Sequence, residues 1–250
     1  MSDFIRQFQL QPSDYFLPLV ESHFHENRWP CTRSSSSDRQ SDPKAQPPPL
    51  ALPLDFELTH GQKALLSGPS GCGKTTFLNA IVGLHPLHEG NVVLLDEFNI
   101  SKTSVSTRQK LLRSDISYVG QELVAFPGLT VKEYLEFNLQ ICKKKVNSGF
   151  YVGILESLGV EHTVNQMLNE LSKGQLQRVM ITGGLIRQPK LLLLDEPSSA
   201  LDSDSRDSLF RVVDDAVHEG TGVLMVSHDP VVESFVDSVI TMEKDDANHE

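Results

Sequence analysis

The apolar positions of this chain fall into two spacings. Short unbroken apolar runs predict buried strands over 64–66, 90–95, 191–194 and 223–226, with a last strand over 239–242. A mixed strand pattern over 50–58 is closed by the turn His60-Gly61, and a short run over 117–121 ends on a polar residue. A weaker alternation over 4–10 suggests one more strand. Between the strands the period lengthens. Leu209, Val212, Val213, Ala216 and Val217 fall at i, i+3, i+4, i+7 and i+8, an amphipathic helix with Asp202 or Ser203 as its cap. Further helices are expected over 76–84, 129–139, 150–158 and 175–188, the last stopped by Pro189. Strands alternating with helices predict an α/β fold with a mostly parallel core sheet. The stretch 122–180 lacks such strands and reads as a helical subdomain.

Composition refines this picture at one place. Over 22–49 the chain turns to Ser, Pro and charged residues with almost nothing apolar to bury, so it reads as an extended or disordered insertion. That divides the chain into an N-terminal strand segment (1–21), the insertion (22–49) and the main domain (50–250). No apolar run approaches the roughly 20 residues that span a bilayer. The start, Met1 to Arg6, has neither the basic end nor the apolar core of a secretion signal, so a cytoplasmic location is expected. The formal net charge of −11 argues against a nucleic-acid partner, which normally meets a basic face. Cys31, Cys72 and Cys142 are too scattered for a disulfide framework or a zinc site.

The chain's chemistry begins at Gly68-Pro69-Ser70-Gly71-Cys72-Gly73-Lys74-Thr75, which fits G-x-x-x-x-G-K-[ST] between a predicted strand and a predicted helix. Glycines let backbone N–H groups turn inward around a phosphate, and the helix start adds partial positive charge. Lys74 can reach the β- and γ-phosphates, and Thr75 can offer a hydroxyl to Mg²⁺. This loop is expected to bind a nucleoside triphosphate. The four leucines 191–194 deliver Asp195 and Glu196 at a strand's carboxyl end, where open α/β sheets bind ligands. Asp195 is expected to hold Mg²⁺ through water, and Glu196 to polarise an attacking water.

With Leu171-Ser172-Lys173-Gly174-Gln175, Ser199-Ala200-Leu201-Asp202 and Ser227-His228-Asp229 following in order, the chain from about 50 to 242 resembles ABC-type ATPases. It looks like the stand-alone ATP-binding subunits of ABC transporters. Gln121-Glu122 and Leu129 to Glu133 look like the lipoprotein-release, cell-division and macrolide-export group. The resemblance implies a P-loop fold with an antiparallel β portion and a helical subdomain. It implies ATP and Mg²⁺ as ligands, with Thr76 joining the phosphate loop. Gln121 would reach Mg²⁺ and the attacking water. Leu171 to Gln175 would meet the γ-phosphate of a second copy, or of a paralogous subunit, and Asp202 would cross that interface. His228 would contact the γ-phosphate and hold the water. A separate integral membrane permease would dock near Gln121 and place the chain on the inner face of the cell membrane. Two departures stand out: Lys173 occupies a position where the family usually has Gly, and the insertion separates the adenine-stacking candidates (Tyr15 or Phe16, with Trp29 as a rival) from 50 onward. A soluble ABC ATPase of DNA repair or translation, or a regulatory one outside transport, is the competing class. The repair and translation type usually carries a coiled-coil insertion, zinc sites or a second ATPase unit, none of which is visible.

Overall fold

The computed structural model describes residues 56–85, 92–94, 98–99, 102–144 and 148–242. The strand expected over 4–10, the insertion over 22–49 and the adenine-stacking candidates lie outside these residues. So do the first residues of the strand expected over 50–58.

In chain order the described elements are β1 (Phe56–Leu58), β2 (Lys63–Ser67), α1 (Lys74–Ile81), β3 (Val92–Leu94), β4 (Phe98–Asn99), α2 (Val105–Leu111), β5 (Ile116–Val119), α3 (Val131–Ile141) and α4 (Ser148–Ser157). They continue with α5 (Lys173–Leu185), β6 (Leu191–Asp195), α6 (Ser203–His218), β7 (Gly222–Val226), α7 (Pro230–Phe235) and β8 (Ser238–Thr241). The main sheet runs β5-β6-β7-β2-β8 and is parallel throughout. A second sheet, β1-β3-β4, pairs β1 with β3 in parallel and β3 with β4 antiparallel. The expected α/β fold with a parallel core and an antiparallel portion is present.

The unbroken apolar runs are explained by burial on both faces. Leu192 and Leu194 pack with Val223 and Met225 against α3, α4, α5 and α6, while Leu191 and Leu193 join Leu224, Val226 and Phe77 of α1 on the other side. A strand covered on both faces has no position at which a polar residue is favoured. Two glycines bring α5 close to its neighbours. A Cβ at Gly184 would press on Val119 and Leu192 at 3.3 and 3.4 Å, and one at Gly183 would meet the Tyr134 ring at 2.8 Å. A mid-helix glycine costs roughly 1 kcal/mol against alanine, so close packing explains both better than helix propensity does.

Element edges differ from the sequence expectation for local reasons. α1 starts two residues earlier than 76, because Gly73 acts as its N-cap, and it ends at Ile81 with Gly83 left-handed just beyond. α3 starts at Val131, where Thr130 and Glu133 form a reciprocal capping box. α6 takes Asp202, rather than Ser203, as its cap. Three short elements, β4, α2 and α7, have no period long enough to read; α7 opens on Pro230 and spans only 6 residues. Among the described residues no helix is long and apolar enough to cross a membrane.

Candidate functional site

Because β5, β6, β7 and β2 are parallel neighbours, the loops after them open on one edge of the sheet. That single fact gathers Gln121 (after β5), Asp195 and Glu196 (ending β6), His228 (after β7) and the phosphate loop (after β2). β7 lies between β6 and β2, so His228 falls between Glu196 and the phosphate loop in strand order.

The phosphate loop is shaped by its glycines. At Gly68 a Cβ would stand 2.5 Å from the Met242 carbonyl oxygen and 2.8 Å from Cys72 Sγ, so only glycine fits. Gly73 is left-handed at φ 99° and caps α1 with no side chain, and no acidic residue occupies the first turn. The helix start therefore keeps its N–H groups and its partial positive charge for another acceptor. Lys74 is buried, and its Nζ donates to the carbonyl oxygens of Gly68 at 2.8 Å and Pro69 at 3.1 Å, lying back across the loop. Cys72 is half-buried with its sulfur 3.9 Å from Lys74 Nζ. Thr75 and Thr76 follow on the first turn of α1.

Asp195 carries unmet polar demand. It is 1% exposed, and neither of its carboxylate oxygens accepts a hydrogen bond within the geometric limits of one. Burial pushes its carboxyl above the usual range and the Glu196 charge adds to that; the neighbouring Thr75 hydroxyl, Lys74 and His228 pull the other way. A buried carboxylate that its neighbours only partly satisfy is costly, and a cation relieves it. Glu196 has a left-handed backbone, φ 52°, with its N–H donating to the Val226 carbonyl at 2.8 Å and its own carbonyl accepting from Gln177 Nε2 at 3.0 Å. Its carboxylate faces His228: Oε1 lies 3.7 Å from Nε2, and Oε2 accepts from the His228 backbone N–H at 3.4 Å. The His228 loop is fixed from behind. Asp229 caps α7 and pairs with Arg206 of α6 at 3.0 Å, and its N–H donates to Ser227 Oγ at 3.1 Å.

The Leu171 to Gln175 stretch is arranged differently. Ser172 caps α5, accepting from the Gln175 N–H at 3.3 Å, while Gln175 Oε1 accepts from the Ser172 N–H at 2.9 Å. Lys173 is exposed at the first helical position. Gly174 is required by its surroundings, since a Cβ there would stand 2.9 Å from the Ala200 carbonyl oxygen. Asp202 accepts from the Ser205 N–H at 2.8 Å, and that bond holds its carboxyl below the usual range.

The structure thus brings together the phosphate loop, Asp195, Glu196 and His228. Gln121 shares their edge, exposed two residues beyond β5, and among the described residues no hydrogen bond joins its side chain to them. Nor does one join Ser172 or Gly174 to the phosphate loop; that stretch abuts Ala200 instead. Gln177, which touches Glu196, drew no notice in the sequence, where it stands among other polar residues, Gln175, Arg178 and Thr182, of the same helix.

Comparison with known proteins agrees with this fold. The family model for ABC transporters matches residues 52–199. The lipoprotein-releasing system ATP-binding protein LolD of Francisella tularensis is 32% identical over 190 residues, 74% of this chain and 82% of that protein. The glutamine transport ATP-binding protein GlnQ of Escherichia coli is 31% identical over 179 residues, 70% of this chain and 73% of its own length. The dimeric structure of MJ0796, a bacterial ABC transporter cassette, superposes with a TM-score of 0.67 at 30% identity, covering 76% of this chain and 84% of that one. A dimeric post-hydrolysis state of MJ0796 bound to ADP and Pi gives a TM-score of 0.66 at 27% identity, covering 76% and 86%. The LolD match agrees with the group expected from Gln121-Glu122 and 129–133. This chain belongs to the ABC transporter family, among its ATP-binding, ATP-hydrolysing subunits.

Proposed function

We propose that this edge of the sheet is where the chain binds ATP and hydrolyses it, with a named role for each residue. The observation that carries the reading is Asp195: a buried carboxylate with no hydrogen bond of full geometry, next to the Thr75 hydroxyl of the phosphate loop and on the same strand end as Glu196. Backbone N–H groups of 68–76, Pro69 excepted, surround the phosphates, and Lys74 exchanges the Gly68 and Pro69 carbonyls for the β- and γ-phosphates. Thr75, Asp195 and Gln121 offer only oxygen donors, the set a hard cation takes, and Mg²⁺ fits the unpaired carboxylate. Among the described residues no cluster of three or more His, Cys, Asp and Glu could hold a metal, so phosphate oxygens and water would complete its shell. Bound there, Mg²⁺ would offset phosphate charge.

Glu196 accepts a proton from the attacking water, and its left-handed turn aims it for that task. His228, facing Glu196, holds the water and contacts the γ-phosphate. Ser172 and Gly174, at the start of a 13-residue helix, serve the nucleotide of a second copy or a paralogous subunit, with Leu171, Lys173 and Gln175 shaping that surface and Asp202 crossing it. A dimeric relative supports this division of labour. A membrane permease is the partner, docked near Gln121, with the chain peripheral on the inner face of the membrane; the names of the ATP-binding relatives support this. The test is phosphate release by the purified chain with ATP and Mg²⁺. Lys74→Ala is expected to abolish nucleotide binding or turnover with the fold kept, and wild-type turnover in that variant overturns the assignment of the loop.

A further inference from the structure

The helix that presents Ser172 and Gly174 also reaches the strand end that carries Glu196. Gln177, early in α5 and 3% exposed, donates from Nε2 to the Glu196 carbonyl oxygen at 3.0 Å. A carbonyl oxygen can only accept, which fixes the amide's orientation. Gln177 Oε1 then faces the interior and accepts no hydrogen bond. A buried amide with an orphan acceptor is unfavourable, and methionine or leucine would fill a similar volume without that cost. Packing therefore does not explain a glutamine at this position; the bond to Glu196 does.

That bond acts on an unusual residue. Glu196 is non-glycine yet left-handed, a conformation that persists only where its surroundings hold it. Three hydrogen bonds do so: the N–H to Val226 of β7, and at the carbonyl one from the Ser199 N–H of the following turn at 3.2 Å and one from Gln177, the bond that ties it to α5. We infer that Gln177 is a positioning residue for Glu196, and that through it the Ser172–Gly174 helix is coupled to the catalytic carboxylate of its own chain. The inference rests on the role given above to Glu196. A nucleotide gripped by Ser172 and Gly174 belongs to the second copy, so a shift of α5 on that nucleotide reaches Glu196 through Gln177.

The experiment is steady-state ATP turnover by the full chain with Mg²⁺, for wild type, Gln177→Met, Glu196→Gln and the double variant. Gln177→Met is expected to lower kcat about 10- to 100-fold, with KM for ATP within about twofold, because the loss falls on alignment and not on nucleotide contacts. In the Glu196→Gln background the same change is expected to have little further effect, since a residue acting through Glu196 has nothing left to align. Full kcat in folded Gln177→Met overturns the inference, and so do two losses that multiply in the double variant. Thermal melting reads the fold. If methionine destabilises the chain, Gln177→Leu is scored by the same ratios, and loss of the fold in both assigns Gln177 to stability and overturns the inference. Full turnover by Glu196→Gln alone instead sinks the reading of Glu196. A slow Glu196→Gln beside a fast Gln177→Met sinks only the positioning role.

Discussion

The two ends of the main sheet are built from the same five parallel strands and treat their polar groups in opposite ways. At the amino end each group named here is satisfied. The buried Thr221 hydroxyl donates to the Pro189 carbonyl at 2.9 Å, and the N–H groups of Gly222 and Val223 donate to Lys190 and Gln62 at 2.8 Å. Lys63 pairs with Asp214 at 2.6 Å and lies over the Phe235 ring, and its backbone N–H donates to the Asp237 carboxylate at 2.8 Å. At the carboxyl end, Asp195 is buried with no hydrogen bond of full geometry, Gln177 keeps an orphan oxygen, and Glu196 is left-handed. Left-handed backbone alone does not separate the ends, since Gln188, near the start of β6, also has φ 45°, in the turn that ends α5. Unmet polar demand does. Strain and unpaired charge collect where a ligand would answer them, while the opposite end holds the fold together.

The comparison is broken most directly at Asp195. Asp195→Asn removes the charge that a cation would answer, so turnover is expected to fall at least about 100-fold. The variant without nucleotide should melt higher, by roughly 2–4 °C for each 1 kcal/mol relieved in a domain of this size. Its pH dependence sharpens the point. The Asp195 carboxyl titrates above its unfolded value, so the folded chain keeps a proton that the unfolded chain has already lost. Stability from this group is therefore present at acidic pH, is lost as pH rises from the unfolded carboxylate range through the raised value, and then levels off. Melting curves of wild type and Asp195→Asn across that range should converge at the acidic end and separate above it. Parallel curves would mean that Asp195 is not under strain.

A smaller effect of the opposite kind is expected at the amino end. Thr221→Val keeps the shape of the side chain, removes its hydroxyl and leaves the Pro189 carbonyl without that donor. It should cost about 1 kcal/mol in denaturant unfolding, with kcat for ATP unchanged. A clear loss of turnover there would erase the distinction between the two ends.

Much of this arrangement was legible in the sequence for physical reasons. Leu191 to Leu194 read as a strand buried on both faces, and the phosphate loop announced its own strand and helix. Since the strands are parallel, knowing which residue ends each run placed Asp195, Glu196 and His228 on one edge. Short elements were not legible, because β4 and α7 are briefer than the patterns that identify them. Gln177 was hidden for a different reason. Its importance lies in a bond to a backbone carbonyl 19 positions away, and a carbonyl leaves no trace in residue identity. Gly174 was named through the resemblance, but the steric reason it must be glycine, the Ala200 carbonyl opposite, was not legible in the sequence.

The central claim is that the carboxyl end is organised for turnover around Glu196, and one substitution addresses it. In Glu196→Gln the amide has nearly the size of the carboxylate, and Lys74, Thr75 and Asp195 keep their contacts. Turnover of ATP with Mg²⁺, measured beside denaturant unfolding of the same preparation, is expected to fall about 10²- to 10⁴-fold, as for loss of a general base. Unfolding should stay within about 0.5 kcal/mol of wild type. ATP, but not ADP, should then shift the variant toward a dimer on size-exclusion chromatography. Wild-type turnover by Glu196→Gln would contradict the account, whatever the chromatography showed.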